Sequence, residues 1–303
     1  MLGHKIAMLL IKRIKISGLN SSTMQKGNFT GKATIKSFLV DQTEFHSYEI
    51  QNNSRFTIEV NKEDYCEALI TDFYKCSVRI QEQKKNIEGL IASNAQVAWV
   101  LVSMYYCCFF IANEVSKLYG EYIINLSKTD MSFILSMTDY SNEAFLDSEV
   151  QSYNSFKVEV AQSDYDHLLL LKLTKSSPKP HSIVWSNLNK IIRKMKIKEN
   201  DSLFHYHSLL IAILSKERGW DLPSTIRNNW NYSYAELYGE KGSRLGEKFL
   251  KNANNSTATF SWANNRRIKP HDENKVASIA YLYHILIEAY NEFFKFLEVE
   301  RMT

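Results

Sequence analysis

Hydrophobic and polar positions are spread unevenly along the chain, and one stretch stands apart. Residues 91–120 read IASNAQVAWVLVSMYYCCFFIANEVSKLYG, with no charged residue between Gly89 and Asn113. Apolar side chains fill nearly every face of a helix wound from it, the pattern of an element surrounded by protein or by lipid. Ser93 or Asn94 suits its start and Gly120 its stop. A membrane span needs roughly 20 predominantly apolar residues. Here Ser93, Asn94, Gln96, Ser103, Tyr105 and Tyr106 lie inside the run, and no second span or strongly basic flank accompanies it. The pattern predicts a buried central helix and no membrane partner.

A second strong helix is predicted over 272–300. Val276, Ile279, Ala280, Tyr283, Leu286, Ala289, Tyr290, Phe293 and Leu297 recur there at three and four, and Asp272 and Glu273 suit its N-terminus. Lys62–Lys85 reads as amphipathic, with Tyr65, Leu69, Phe73, Cys76 and Ile80 on one stripe; Ser182–Lys198 and Ser202–Arg218 are further helices. Alternation or short apolar runs predict strands at Ile6–Ile11, Ala33–Val40, Ser54–Val60, Phe156–Val160 and Leu168–Leu173. Lys175–His181 reads as a loop, and the Asn-rich segment 221–265 as irregular, with short helical pieces at most. The expected fold is α+β, mainly α. A β-rich region with one helix occupies 1–88, and a helical domain occupies 89–303 with a small β insertion around 125–175.

Composition narrows the chemistry more than it names it. The formal net charge of +4 over 303 residues is too small to imply nucleic acid unless the cations cluster. Four cysteines without a C-x-x-C pair argue for a reducing interior, against a disulfide framework and against a zinc site. The N-terminal apolar run is too short for a secretory segment, so a cytoplasmic location is expected. His205 and His207 are two apart on a predicted helix and point to different sides, and Asp164 and Asp166 lack a third ligand nearby. With no Walker loop, dinucleotide glycine fingerprint, G-x-S-x-G or H-E-x-x-H, no cofactor and no metal is expected.

Three segments carry candidate chemistry. In Thr225–Leu237, TIRNNWNYSYAEL, an Arg227-Asn228 pair is followed by Tyr232. The plain structural alternative has Arg227 paired with a carboxylate while Trp230 and Tyr232 pack on the bundle. In Arg266-Arg267-Ile268-Lys269-Pro270-His271, cations precede a helix start, where free N–H groups also favour phosphate. In the stretch 190–198, Lys190, Arg193, Lys194 and Lys196 fall mainly off the apolar stripe and make a basic outer face able to track a phosphate backbone.

The residues Ser103-Met104-Tyr105-Tyr106-Cys107-Cys108-Phe109-Phe110-Ile111-Ala112 resemble the S-x-Y-Y-x-x-F-x-x-A pattern on a core helix of the HEPN superfamily. These are compact helical bundles found in RNA-cleaving toxins and bacterial anti-phage defence proteins. HEPN ribonucleases also share Arg-Asn-x-x-x-His, at a pocket between two copies, where the Arg steadies the scissile phosphate and the His aids 2′-hydroxyl attack without metal. Arg227-Asn228-Asn229-Trp230-Asn231-Tyr232 matches the Arg and the Asn, with Tyr232 where the family has His. Phenols ionise near pH 10 in model peptides, so tyrosine is a poor general base near neutrality. The resemblance implies a homodimer acting on RNA, as a metal-independent endoribonuclease with Arg227 and Asn228 at the phosphate and Tyr232 or His271 moving the proton. Its alternative is a non-catalytic scaffolding or sensing subunit of a defence complex whose partner carries the activity.

Overall fold

In the computed structural model, residues 1–18, 32–41, 47–52, 55–136, 153–176, 180–233, 240–265 and 272–302 are described. The chain begins with α1 (Leu2–Ile16), α2 (Ile35–Asp41), β1 (Ser47–Asn52), β2 (Arg55–Asn61), α3 (Lys62–Ala92) and α4 (Val97–Tyr119). It continues through β3 (Glu121–Ser127), α5 (Lys128–Ser136), β4 (Tyr153–Gln162), β5 (Leu168–Lys175), α6 (Pro180–Arg193) and α7 (Phe204–Ser215). After a 3-10 turn at Glu217–Gly219 come α8 (Pro223–Asn228), α9 (Glu240–Ala253), α10 (Ser256–Asn264) and α11 (Asp272–Met302). The fold is α+β and mainly α.

Two compact units interleave along the sequence. The first comprises Met1–Leu9, Ser77–Asn113 and Trp185–Lys295, and the second Leu10–Cys76, Glu114–Val184 and Phe296–Thr303.

The second unit holds a five-stranded antiparallel sheet in the order β1-β2-β5-β4-β3. Alternation sends Phe56, Ile58, Val60, Leu171, Leu173, Phe156, Val158, Tyr122 and Leu126 into its core. Lys172, Glu159 and Asn125 face out. Gly120 takes φ +88°, ends α4 with bonds to the Ser116 and Lys117 carbonyls, and turns the chain into β3. Arg13 strengthens that corner, donating to Tyr119 O at 3.0 Å and to Val160 O at 3.1 Å, a cation at a helix C-terminus. Lys117 bridges Glu114 at 2.9 Å and Asp72 at 3.0 Å. Burial raises the Glu114 carboxyl above its ordinary value, and the Lys117 charge opposes that rise.

The first unit is helical. Within it Gln83 donates to Ser103 O at 3.2 Å, Gln81 to the Tyr290 hydroxyl at 3.3 Å, and Tyr281 to Tyr206 O at 2.7 Å. Burial pushes the Cys107 thiol up to about 12, so it behaves as an inert small hydrophobe. Among the described residues, Val97–Tyr119 is the one helix long and apolar enough to cross a membrane, and 67% of its most apolar window is buried within the protein.

Four expectations change. The N-terminal run is helix, not strand: Leu2, Ile6, Leu10 and Ile14 are buried four apart, a helical period hidden by a short β-branched cluster. Ala33–Val40 is mostly α2, also helix, because Ile35, Phe38 and Leu39 share one face. Thr34 Oγ1 accepts from the Ser37 amide at its start. The described residues of 221–265 are largely helical: Leu245, Phe249 and Ala253 bury one stripe of α9, and the Asn255 side chain caps α10. The central stretch is not one helix from residue 91. Asn94 at φ 50° breaks α3 from α4.

Two predictions follow from packing within the first unit. A Cβ on Gly3 would lie 2.6 Å from Glu288 Cβ and 2.7 Å from the Ile285 carbonyl. Gly3→Ala, which ordinarily favours a helix, should instead lower stability by about 1–3 kcal/mol in urea unfolding. His284 Nε2 donates to Ala253 O at 2.7 Å, and burial holds its imidazole below the ordinary 6.5. The unfolded chain therefore takes a proton here before the folded chain does. Stability relative to His284→Gln should fall as pH drops from about 7 to about 5, read by denaturant midpoints at each pH.

Candidate functional site

Arg227 sits in the last turn of α8, a helix begun by Pro223 at its first position. The chain winds on through a π-helical turn, Asn229–Ser233, a geometry frequent at functional sites. The arginine side chain is turned inward and only 8% exposed. Its guanidinium carbon lies 5.1 Å from the Tyr105 ring centroid, 5.5 Å from Tyr106 and 6.0 Å from Tyr232. Two segments picked out separately by sequence thus meet: the Tyr-Tyr pair of α4 forms the surface on which Arg227 rests.

That surface is rigid. Tyr105 is fully buried, stacked with Phe109 at 6.3 Å and tilted against Trp185 at 5.8 Å. Burial raises the Tyr105 hydroxyl above the usual phenol value, and interactions with Trp185 and the Arg227 charge oppose the shift. A neighbouring pair repeats the theme, with the Arg79 guanidinium 5.0 Å from the Phe110 centroid.

Among the described residues no carboxylate pairs with Arg227, and its Nε is buried without a hydrogen-bond partner. The carboxylate pairing of the plain structural alternative is therefore not found there. Desolvating a cation costs several kcal/mol, while a desolvated cation–π contact returns about 2 kcal/mol or more. The rings offset part of that cost and leave a positive charge without a counterpart among the described residues. At the rim, Asn228 is exposed and Tyr232 is 73% exposed, an aromatic face held over the guanidinium.

The remaining candidates divide. Lys190 and Arg193 lie on α6, which ends at Arg193 rather than at Lys198, and Lys194 and Lys196 follow it. All four are exposed, opposite buried Ile191, Ile192 and Met195. Arg193 is committed in part to Glu217 and to Ser215 Oγ. Arg266, Arg267 and His271 lie outside the described residues. His207 is buried with its Nε2 donating to Ile192 O at 2.9 Å, a structural role, whereas His205 is exposed. Among the described residues no group of three or more His, Cys, Asp or Glu could hold a metal. Sequence reasoning did not place Tyr105 and Tyr106 in the site; the only signal was that both motifs point to one family.

Compared with known protein families, curated proteins and solved structures, the chain matches none of them.

If Arg227 is kept for binding rather than for stability, an apolar side chain of similar length should serve the fold as well. Arg227→Met should leave the urea midpoint unchanged or raised, whereas Arg227→Ala should cost about 1–3 kcal/mol through lost packing. A large loss in Arg227→Met would assign the arginine to structure alone.

Proposed function

We propose that this chain is a HEPN-like protein of the bacterial defence or toxin type, acting on RNA in the cytoplasm as a homodimer. The observation that carries the reading is the contact of Arg227 with Tyr105 and Tyr106, which joins the two motif-bearing stretches at one place. A phosphate group would supply a negative charge that no described residue gives this arginine, and charge-assisted bonds to phosphate are among the strong ones. The exposed Tyr232 ring offers a base a stacking surface. Lys190, Arg193, Lys194 and Lys196 form an exposed basic row suited to neighbouring phosphates.

In the catalytic form of this reading the chain is a metal-independent endoribonuclease. Arg227 and Asn228 hold the scissile phosphate, so that charge developing on its oxygens is met by fixed donors. Tyr232 or His271 moves the 2′-hydroxyl proton. A second reading, a scaffolding or sensing subunit beside a partner enzyme, is favoured by one observation. The residue standing at the family's histidine position is a tyrosine whose ring covers the guanidinium.

Cleavage of tRNA, mRNA and structured RNA in EDTA separates the two. The ribonuclease reading expects cleavage by the wild type and a loss of about a hundredfold or more in Arg227→Ala, with His271→Ala reporting whether that residue belongs to the site. No cleavage by the folded wild type, with RNA binding still lost in Arg227→Ala, selects the scaffolding subunit. RNA binding unchanged in Arg227→Ala contradicts both.

A further inference from the structure

A cavity of about 220 Å³ opens on one side of α7, lined in part by Phe204, His205, Ser208 and Ala212 and closed by Trp220 and Asn264. Its origin lies in the backbone. Lys216 at φ 59° ends α7, and Gly219 at φ 86° follows within the same turn. Two left-handed residues so close together reverse the chain and lay Trp220, 2% exposed, back beside the helix. Phe204 and Trp220 contribute aromatic side chains to the lining, and Ala212 a small one.

Among the described residues the lining includes no Lys, Arg, Asp or Glu. From these residues a phosphate or carboxylate gains no counter-charge, which is costly away from water, so this lining suits a neutral ligand. It is nevertheless polar in places. His205 and Ser208 are less than one turn apart on α7, and neither makes a hydrogen bond among the described residues. Asn264, the last residue of α10, adds a carboxamide. The volume falls below the roughly 300–1,000 Å³ of drug-sized sites, so one ring system fits and a whole nucleotide does not.

We infer that this cavity binds a single nucleobase. A base is flat and uncharged, its faces stack on aromatic side chains, and its edge carries the donors and acceptors that an imidazole, a hydroxyl and a carboxamide read. The base arrives either splayed from a single-stranded RNA or as a free nucleoside, its sugar left at the open side. The inference stands on the cavity alone and does not depend on the role of Arg227.

Calorimetric titration of the full chain with each of the four ribonucleosides, and competition by a short single-stranded oligoribonucleotide of the preferred base, tests it. The wild type should show saturable binding to at least one nucleoside. Ser208→Ala should weaken that binding about twofold to tenfold, and Ser208→Leu, which fills the cavity from a half-exposed helical position, by about tenfold or more. Circular dichroism identifies any variant that has lost its fold. Competition by the oligonucleotide, lost together with nucleoside binding in Ser208→Leu, assigns the base to RNA. Nucleoside binding without competition assigns a free nucleoside. Absence of saturable nucleoside binding, or full binding by folded Ser208→Leu, overturns the inference even where Arg227→Ala abolishes RNA binding.

Discussion

A positive charge removed from water has to be balanced by a carboxylate, a ring of dipoles or a ligand, and in this protein the constraint falls on Arg227. It is nearly enclosed, it rests on Tyr105 and Tyr106, and no carboxylate among the described residues meets it. The arrangement makes sense of otherwise separate features of the first unit. The uncharged stretch of α4 supplies the rings, and Tyr105 packs against Phe109 of the same helix and Trp185 of α6. The π-helical turn after α8 brings Tyr232 over the same guanidinium. A site that keeps a buried charge for an anionic ligand gives up stability in the free protein, a trade common where function is selected.

The second unit shows the opposite treatment of charge. Lys117 is half-buried between Glu114 and Asp72, each within hydrogen-bond reach, so the cation is neutralised by the protein's own carboxylates. Arg13 spends its donors on two backbone carbonyls at the α4–β3 corner. Those cations stabilise the fold. Arg227, on the tyrosine pair, meets no carboxylate among the described residues.

Much of the architecture was legible where one periodicity dominated. The uncharged run near α4, the repeat in α11, the alternation in β2 and β4 and the short apolar run in β5 all lie where the pattern placed them. It failed where local propensity and tertiary burial disagreed. The short apolar run Ile6–Ile11 of α1 reads as strand, but burial of Leu2, Ile6, Leu10 and Ile14 selects a helix. The polar outer face of α9, with Arg244, Glu247, Lys248 and Lys251, concealed an amphipathic helix whose buried stripe includes Leu245, Phe249 and Ala253. At the site, sequence named Arg227 and, separately, the Tyr105–Tyr106 pair. Their contact spans more than a hundred positions and is set by packing, which no local pattern reports.

The central claim is that RNA meets the protein where Arg227 lies on its tyrosines. Photocrosslinking with 4-thiouridine-substituted RNA, followed by peptide mapping, tests it most directly. The account predicts crosslinks concentrated in the peptide spanning Arg227 to Tyr232, and their disappearance in Arg227→Met. Crosslinks confined to other surfaces, such as the row from Lys190 to Lys196, or unchanged in Arg227→Met, would contradict it.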